Sequence, residues 1–148
     1  MTEVSFHFNA PDKLGYACRL LRKAYAKGVR TLVLVEPREL AALDAALWQR
    51  STHDFLPHST EQDPAHVRAH SPIHLCSDPV PTNEAGTSPA VLVNLRTEMP
   101  SDFLAFARVI EVVTHEPEDR HLARERWRLY KQSGIEPQRH DLQPSAMA

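Results

Sequence analysis

The sequence predicts one three-layer α/β/α domain built around a largely parallel sheet of about five strands. Segments typical of strands alternate with segments typical of helices along the chain, and this alternation is the pattern of βαβ units. The strand-like segments are continuous apolar runs, such as "TLVLVE" at 31–36, which is expected where helices cover both faces of a sheet. The length of 148 residues suits a single domain with a sizeable core.

The first half of the chain predicts two strands, each followed by a helix. Alternating apolar and polar residues in "VSFHF" (4–8) predict the first strand, and Pro11 and Gly28 mark the two ends of the helix that follows it. The run at 31–36 predicts a second strand, and Pro37 begins a second helix. The apolar positions of that helix are Leu40, Leu43, Leu47 and Trp48.

The segment 50–88 carries few patterns typical of strands or helices. It is rich in Pro, His, Ser and Thr, and this composition predicts mostly loop. We expect one short strand within this loop, "IHLC" at 73–76. The apolar runs at 90–95 and 108–114 predict two further strands, with a short helix after Pro100 between them. These segments complete a sheet of about five strands.

The final helix is predicted to begin at Pro117 and to end at Gly134. Its first turn is acidic, which complements the partial positive charge of a helix N-terminus. The residues after Pro137 are mostly polar. We therefore expect a single domain over residues 1–136 and a polar, flexible C-terminal tail over residues 137–148.

Composition and charge exclude several classes of protein. The net charge of −2 argues against a protein that coats nucleic acid with its whole surface, although a local basic patch is compatible with it. The two cysteines, Cys18 and Cys76, predict no disulfide scaffold and favour a reducing cytoplasm. No apolar run reaches the roughly 18 residues of a membrane span, and the N-terminal "MTEVSFHFNA" lacks the basic start and apolar centre of a signal peptide.

No pattern in the sequence favours an active site. The four glycines form neither of the glycine-rich motifs that bind phosphate groups. His66, His70 and His74 recur at a spacing that aligns zinc ligands on a helix, but Pro72 interrupts the run. We therefore expect no metal and no other cofactor, and a metal-dependent hydrolase that uses the His-rich middle is the less favoured alternative.

The final helix, "HLARERWRLYKQSG" (121–134), has two distinct faces when its residues are placed at about 100° intervals. The apolar face, which predicts contact with the core, carries Leu122, Ala123, Leu129 and Tyr130. Arg126 falls among these residues, so we expect it to pair with a carboxylate or to extend towards solvent. The opposite face combines three cations with an indole ring, in Arg124, Trp127, Arg128 and Lys131.

A basic stripe with an exposed tryptophan favours a binding function, although a merely solvated face is the ordinary interpretation of a charged helix. Nucleic-acid bases could stack on Trp127 while phosphates contact the cations. An acidic peptide could bind the same stripe, and a free C-terminal carboxylate is a natural ligand of such cations. The residues of the helix by themselves leave these alternatives open.

A second aromatic cluster lies in "LDAALWQRSTHDFLPHS" (43–59). Trp48 ends a predicted helix, and Phe55, Leu56 and Pro57 follow in a polar loop. These residues either cover the edge of the core or form an exposed patch for a protein partner.

Three segments of the sequence resemble the chi subunit of bacterial DNA polymerase III holoenzyme. They are "LDAALWQRSTHDFLPH", "VLVNLRTEMPSDFLAFARVIEVV" and "LARERWRLYKQSG". The resemblance covers nearly the whole chain, is weakest over residues 59–88, and depends on the number, order and spacing of motifs that are not catalytic signatures. It implies an α/β accessory subunit without enzymatic activity, located in the cytoplasm at the replisome. The partners that it implies are the psi subunit, which tethers chi to the clamp loader, and the acidic C-terminal tail of single-stranded DNA-binding protein.

The resemblance also implies a role for each of the two regions. In the family the acidic tail binds the last helix, and the matching positions here are Arg124, Trp127, Arg128 and Lys131. The family commonly has Tyr and Lys at two of these positions, and the replacements in this chain keep an aromatic wall and a cation. Glu116 stands where a relative has an apolar residue just before the helix, so we expect it to weaken that edge of the site. The positions associated with binding of psi or another partner match Trp48, Phe55 and Pro57.

Contact with DNA would then be indirect, through the tail of the protein that coats the single strand. Each exposed ion pair contributes only about 0–1 kcal/mol, so tail binding is expected to be modest and sensitive to salt. The alternative from another class is a module that binds single-stranded nucleic acid directly through the basic helix.

Overall fold

The computed structural model describes residues 2–49, 57–60, 63–64, 71–77, 91–100 and 103–142. Within this part of the chain, three α-helices surround one parallel sheet of seven strands. The strands are β1 (Glu3–Ala10), β2 (Thr31–Leu34), β3 (Ser59–Thr60), β4 (Ile73–Cys76), β5 (Val91–Asn94), β6 (Arg108–Thr114) and β7 (Gln138–Asp141). The helices are α1 (Lys13–Ala26), α2 (Pro37–Gln49) and α3 (Pro117–Gln132), with a short 3-10 helix at Phe103–Ala105.

The predicted α/β class and parallel sheet are confirmed, but the sheet has seven strands where the sequence predicted about five. The two additional strands are β3, which has 2 residues, and β7, which is entirely polar. Neither contains the apolar run that marks the other strands, so periodicity carried no signal for them. The helix predicted after Pro100 is the 3-10 helix among the described residues.

The strands lie in the order β3-β4-β2-β5-β6-β1-β7, and every neighbouring pair is parallel. The chain crosses the sheet in one direction from β1 through β2 to β3, and it returns in the other direction from β4 through β5 and β6 to β7. Right-handed crossovers place the connections of these two halves on opposite faces of a sheet. Helices α1 and α2 accordingly pack on one face, and α3 packs on the other.

Each face of the sheet has its own apolar core. On the first face, Leu21 of α1 and Leu43 of α2 are fully buried against the central strands. On the second face, the rings of Phe6 and Tyr130 pack edge to face with their centroids 5.8 Å apart. Because successive strand residues alternate between faces, Phe8 of β1 joins Phe6 on the side of α3.

The prediction of a flexible tail over residues 137–148 is wrong for the first part of that range, because Gln138–Asp141 forms β7. This strand lies parallel to β1 at the edge of the sheet, with Arg139 opposite Phe6. Without β7, β1 would be the edge strand and would present a row of unpaired backbone groups. The need for a pairing partner comes from the backbone of β1, so the residues of β7 themselves give no sign that they form a strand. Residues 143–148 lie outside the described part of the chain.

Side chains also hold β7 against β1. The rings of His7 and His140 have centroids 4.9 Å apart, and the Tyr16 hydroxyl is hydrogen-bonded to His7 Nδ1 at 2.5 Å. Burial, together with the smaller effect of neighbouring positive groups, lowers the pKa of His7 from 6.5 to about 4. His7 is therefore uncharged near neutral pH, so the two imidazoles pack without repulsion between two charges. Asn9 Nδ2 adds a hydrogen bond of 2.8 Å to Asp141 Oδ1.

Candidate functional site

The start of α3 is held to the rest of the domain by Asp119. Its Oδ2 accepts a hydrogen bond from the Thr114 amide at 2.8 Å, and its Oδ1 lies 3.3 Å from Lys13 Nζ of α1. The carboxylate lies in the first helical turn, where it also complements the helix dipole. Pro117 occupies the beginning of the helix, where a missing N–H group has no consequence. Helix α3 therefore starts at a fixed position beside the end of β6.

A buried polar network fixes the rotation of α3 about its own axis. Glu111 of β6 is completely buried, and its Oε1 lies 3.0 Å from Arg126 Nε. The carboxylate also accepts hydrogen bonds from the Tyr130 hydroxyl at 2.7 Å and from Asn94 Nδ2 at 3.0 Å. Arg126 Nη1 donates to the Thr97 carbonyl oxygen at 2.8 Å. Of the two alternatives predicted for Arg126, the pairing with a carboxylate is the one observed, and the pair lies in the core.

Burial controls the protonation of this network. It raises the pKa of the Glu111 carboxyl group, against the opposing effects of the Arg126 charge and of the hydrogen bonds that the carboxylate accepts. Burial and the neighbouring Glu111 charge also raise the pKa of Tyr130 above its ordinary value. Tyr130 therefore keeps its proton and remains a hydrogen-bond donor to Glu111.

Beside this network, α3 and the edge of the sheet enclose a groove of about 520 Å³, which we call the arginine groove. Five of its lining residues are apolar, which we call its floor and wall, and four are arginines, which we call its rim. The apolar residues are Phe6, Phe8, Val113, Ala123 and Trp127. The rim residues are Arg120, Arg124 and Arg128 of α3 and Arg139 of β7.

Trp127 lies deeper than the sequence predicted. The helical wheel placed it on an exposed stripe, but its ring is partly buried and its centroid lies 5.1 Å from that of Phe6. Leu129, which was predicted to face the core, is 45% exposed. The buried face of α3 includes Arg126, and a wheel drawn from apolar residues alone therefore turned the predicted face towards Leu129 and away from Trp127.

The four site residues predicted on α3 do not all reach the arginine groove. Lys131 is exposed and is not among the residues that line it, whereas the other three line it: Arg124, Trp127 and Arg128. Arg120 could have been found in the sequence, because it lies four residues before Arg124 and shares its side of the helix. Arg139 could not have been found, because its position depends on the pairing of β7 with β1.

The arginine groove concentrates positive charge on a protein whose net charge is −2. Arg128 Nη1 lies 3.4 Å from Glu125 Oε1 in an exposed ion pair, and such a pair contributes only about 0–1 kcal/mol. Glu116, which was expected to weaken one edge of the site, is the N-cap residue of α3 and does not line the groove. Guanidinium groups around an aromatic floor suit a ligand that combines carboxylates with an apolar side chain.

The second predicted site lies at the end of α2, on the other face of the sheet, and we call it the Trp48 patch. Trp48 is 53% exposed, and its ring centroid lies 5.1 Å from that of His58. His58 Nε2 lies 2.7 Å from Oδ1 of Asp44, one helical turn before Trp48. Pro57 is partly buried and directly precedes His58, the residue whose ring contacts Trp48. Phe55, the third residue of the predicted site, lies outside the described residues.

Within the described residues, no group of three or more His, Cys, Asp or Glu side chains is placed to hold a metal ion. His74 Nδ1 is hydrogen-bonded to the Ser59 hydroxyl at 2.9 Å, and His66 and His70 lie in ranges that the structure does not describe. None of the helices described above is long and apolar enough to cross a membrane.

Comparison with known proteins identifies a family. Residues 1–138 match the family model described as DNA polymerase III chi subunit, HolC. The chain is 32% identical over 147 residues to the DNA polymerase III subunit chi of Pseudomonas aeruginosa, covering 96% of this chain and 98% of the relative. It is 29% identical over 119 residues to the DNA polymerase III subunit chi of Escherichia coli strain K12, covering 80% of this chain and 78% of the relative. These matches confirm the resemblance inferred from the sequence.

Proposed function

Because this chain belongs to the family of DNA polymerase III chi subunits, we propose that it is an adaptor between the clamp loader and single-stranded DNA-binding protein. As a member of this family it is an accessory subunit in DNA replication and not the catalytic subunit of the polymerase. The Trp48 patch binds the psi subunit, and the arginine groove binds the acidic C-terminal tail of single-stranded DNA-binding protein. The adaptor works in the cytoplasm, at the replisome, and needs no cofactor.

The arginine groove is the observation that carries the assignment of the tail. Its five apolar residues and its four arginines line one cavity of about 520 Å³. An acidic tail supplies carboxylates for the guanidinium groups, and an apolar residue at its end contacts Trp127 and Phe8. A guanidinium group can bind a carboxylate through two parallel hydrogen bonds, which a lysine ammonium cannot do. The groove therefore recognises both halves of the proposed ligand.

The affinity of this site follows from the exposure of its cations. Positive charge on the rim attracts the tail from a distance and raises the association rate. Each exposed ion pair then contributes only about 0–1 kcal/mol, so the apolar contact with Trp127 has to supply much of the binding energy. We expect modest affinity that falls as salt increases, which suits an adaptor that has to release the tail again.

The Trp48 patch is assigned to psi on separate grounds. A tryptophan that is 53% exposed is a typical anchor of a protein–protein interface, and the contact with His58 supports its ring from one side. Pro57 and Phe55 are proposed as further contacts because they match family positions associated with partner binding. Helices α2 and α3 lie on opposite faces of the sheet, so psi and the tail can bind at the same time.

The double replacement of Arg124→Ala and Arg128→Ala tests the tail site. We expect it to weaken binding of the tail peptide roughly 30-fold, because about 2 kcal/mol of ion-pair and hydrogen-bond energy is lost. Isothermal titration calorimetry with the purified protein and a synthetic tail peptide measures the effect. The control combines Lys27→Ala with Arg38→Ala, which removes the same charge from exposed positions of α2 and the end of α1. If the two double variants bind the peptide equally well, the tail does not bind in the arginine groove.

Direct binding of single-stranded nucleic acid is the alternative function of the same groove, since Trp127 and the cations also suit bases and phosphates. Fluorescence anisotropy with a labelled oligonucleotide, in the absence of any partner protein, separates the two functions. We expect weak binding that disappears at moderate salt, because the protein as a whole is acidic. Tight binding to the oligonucleotide alone would favour the alternative.

The replacement Trp48→Ala tests the psi surface. It is expected to weaken psi binding at least about 30-fold, because the loss of a central aromatic anchor costs about 2 kcal/mol or more. Titration calorimetry with a separately purified psi subunit measures this loss. Titration of the same variant with the tail peptide should show an unchanged affinity. Leu104→Ala is the control, since Leu104 is 67% exposed and lies outside both sites. Equal psi binding by the two variants would mean that Trp48 is not the anchor.

A further inference from the structure

Strand β7 contributes Arg139 to the lining of the arginine groove, whose other three arginines lie on α3. The central guanidinium carbon of Arg139 lies 4.5 Å from the centroid of the Phe8 ring, and both residues line the groove. The backbone is held both before and after Arg139 along the chain. Strand β7 pairs with β1, and beyond it the Leu142 amide donates to the Phe8 carbonyl oxygen at 3.0 Å. Arg139 is therefore a cation whose backbone belongs to the sheet, and this backbone holds it at a defined place in the groove.

The position of Arg139 differs from that of the arginines on α3. Arg120, Arg124 and Arg128 recur every four residues and form one row along the helix. Arg128, at the end of that row, forms an ion pair with Glu125, and the distance from Arg128 Nη1 to Glu125 Oε1 is 3.4 Å. Arg139 instead lies over an aromatic ring of the groove floor, and the stacking leaves the N–H groups at the edge of its guanidinium plane available for a ligand.

A chain end places specific demands on its binding site. The last residue of a peptide carries its side chain and its α-carboxylate on the same Cα atom, so an apolar pocket and a cation have to lie side by side. Phe8 and Arg139 are in direct contact and meet this requirement. Acidic side chains further from the end lie several residues away along the peptide, and they suit the row of cations on α3.

We propose that Arg139 is the residue that binds the free α-carboxylate of the tail, and that it makes the arginine groove specific for a chain end. This inference rests on the proposed function, since the ligand is the same acidic tail. The row on α3 attracts and aligns the acidic side chains, whereas Arg139 distinguishes a terminal carboxylate from an internal acidic segment. The specificity of the site is thus divided between a helix and an edge strand.

Two synthetic peptides test this division by fluorescence anisotropy at low salt. Both carry a fluorescent label, four aspartates, a glycine and a final phenylalanine, and they differ only in ending as a free carboxylate or as an amide. We expect amidation to weaken binding to the wild-type protein about tenfold, and to weaken binding to an Arg139→Gln variant by less than about twofold. The matched control, Arg124→Gln, should weaken binding of both peptides and keep the roughly tenfold ratio between them.

The outcomes separate this inference from the proposed function. If the wild-type protein binds neither peptide, both are overturned. If it binds both peptides equally well, or if Arg139→Gln keeps the full ratio, Arg139 does not bind the carboxylate, while the groove remains a site for acidic peptides. An Arg139→Lys variant keeps the charge without the planar fork, so it should give a ratio between those of the wild-type and Arg139→Gln proteins. Thermal melting curves of all variants verify that β7 and the rest of the domain remain folded.

Discussion

Replacing Glu111 with alanine is expected to lower the free energy of unfolding by about 3–5 kcal/mol. The carboxylate is completely buried and contacts both Arg126 and Tyr130 of α3. Without it, the Arg126 guanidinium would remain in the core as a charge with no compensating anion, and that is the costly result of breaking a buried ion pair. Urea denaturation monitored by circular dichroism measures the change in stability.

The control for this variant is Glu98→Ala. The Glu98 side chain is 78% exposed and lies 3.5 Å from Arg96 in a surface ion pair, so its loss should change stability by less than about 1 kcal/mol. A combined Glu111→Leu and Arg126→Met variant removes both buried charges and should recover much of the loss. If Glu111→Ala is as stable as Glu98→Ala, the network does not hold α3 in place.

The second large effect is expected for Trp127→Ala, which should weaken binding of the tail peptide at least about 30-fold. The indole forms a wall of the arginine groove and packs against Phe6 at 5.1 Å. Its removal therefore takes away the apolar contact of the ligand and opens the floor beneath it. We also expect stability to fall by about 1–3 kcal/mol, less than for a fully buried tryptophan. Titration calorimetry and thermal melting measure the two effects separately.

Leu129→Ala is the matched control on the same helix. Leu129 is 45% exposed and does not line the groove, so its replacement should change peptide affinity by less than about twofold. Trp127→Phe keeps an aromatic wall and should retain part of the affinity. A folded Trp127→Ala protein that binds the peptide as tightly as the wild type would exclude the indole from the site.

The two large effects are linked by the rotation of α3. Glu111 holds Arg126 towards the sheet, and the row of Arg120, Arg124 and Arg128 is thereby turned towards the groove. A small rotation of the helix would move the row away from the floor residues without breaking any contact within the helix. The buried network therefore sets the alignment of the cations with the apolar floor, and the proposed binding of the tail depends on that alignment.

The sequence by itself determined the α/β class, the main strands and the limits of α3. The runs at 73–76 and 108–114 coincide with β4 and β6, and Pro117 begins α3 as predicted. These signals are local, because apolar runs, prolines and helix-capping glycines act on the residues next to them. The cationic character of α3 was equally visible, since charge is a property of each residue and does not depend on contacts.

Only the tertiary structure decided which cations share a site. Strand β7 has no apolar residue, and it forms because the edge of β1 offers backbone groups that need partners. That pairing carries Arg139 to Phe8, a contact between residues far apart in the chain. The burial of Trp127 likewise depends on Phe6 across the domain. Strand pairing and core packing are long-range interactions, so the chain determines the parts of the groove locally but assembles them only in the folded domain.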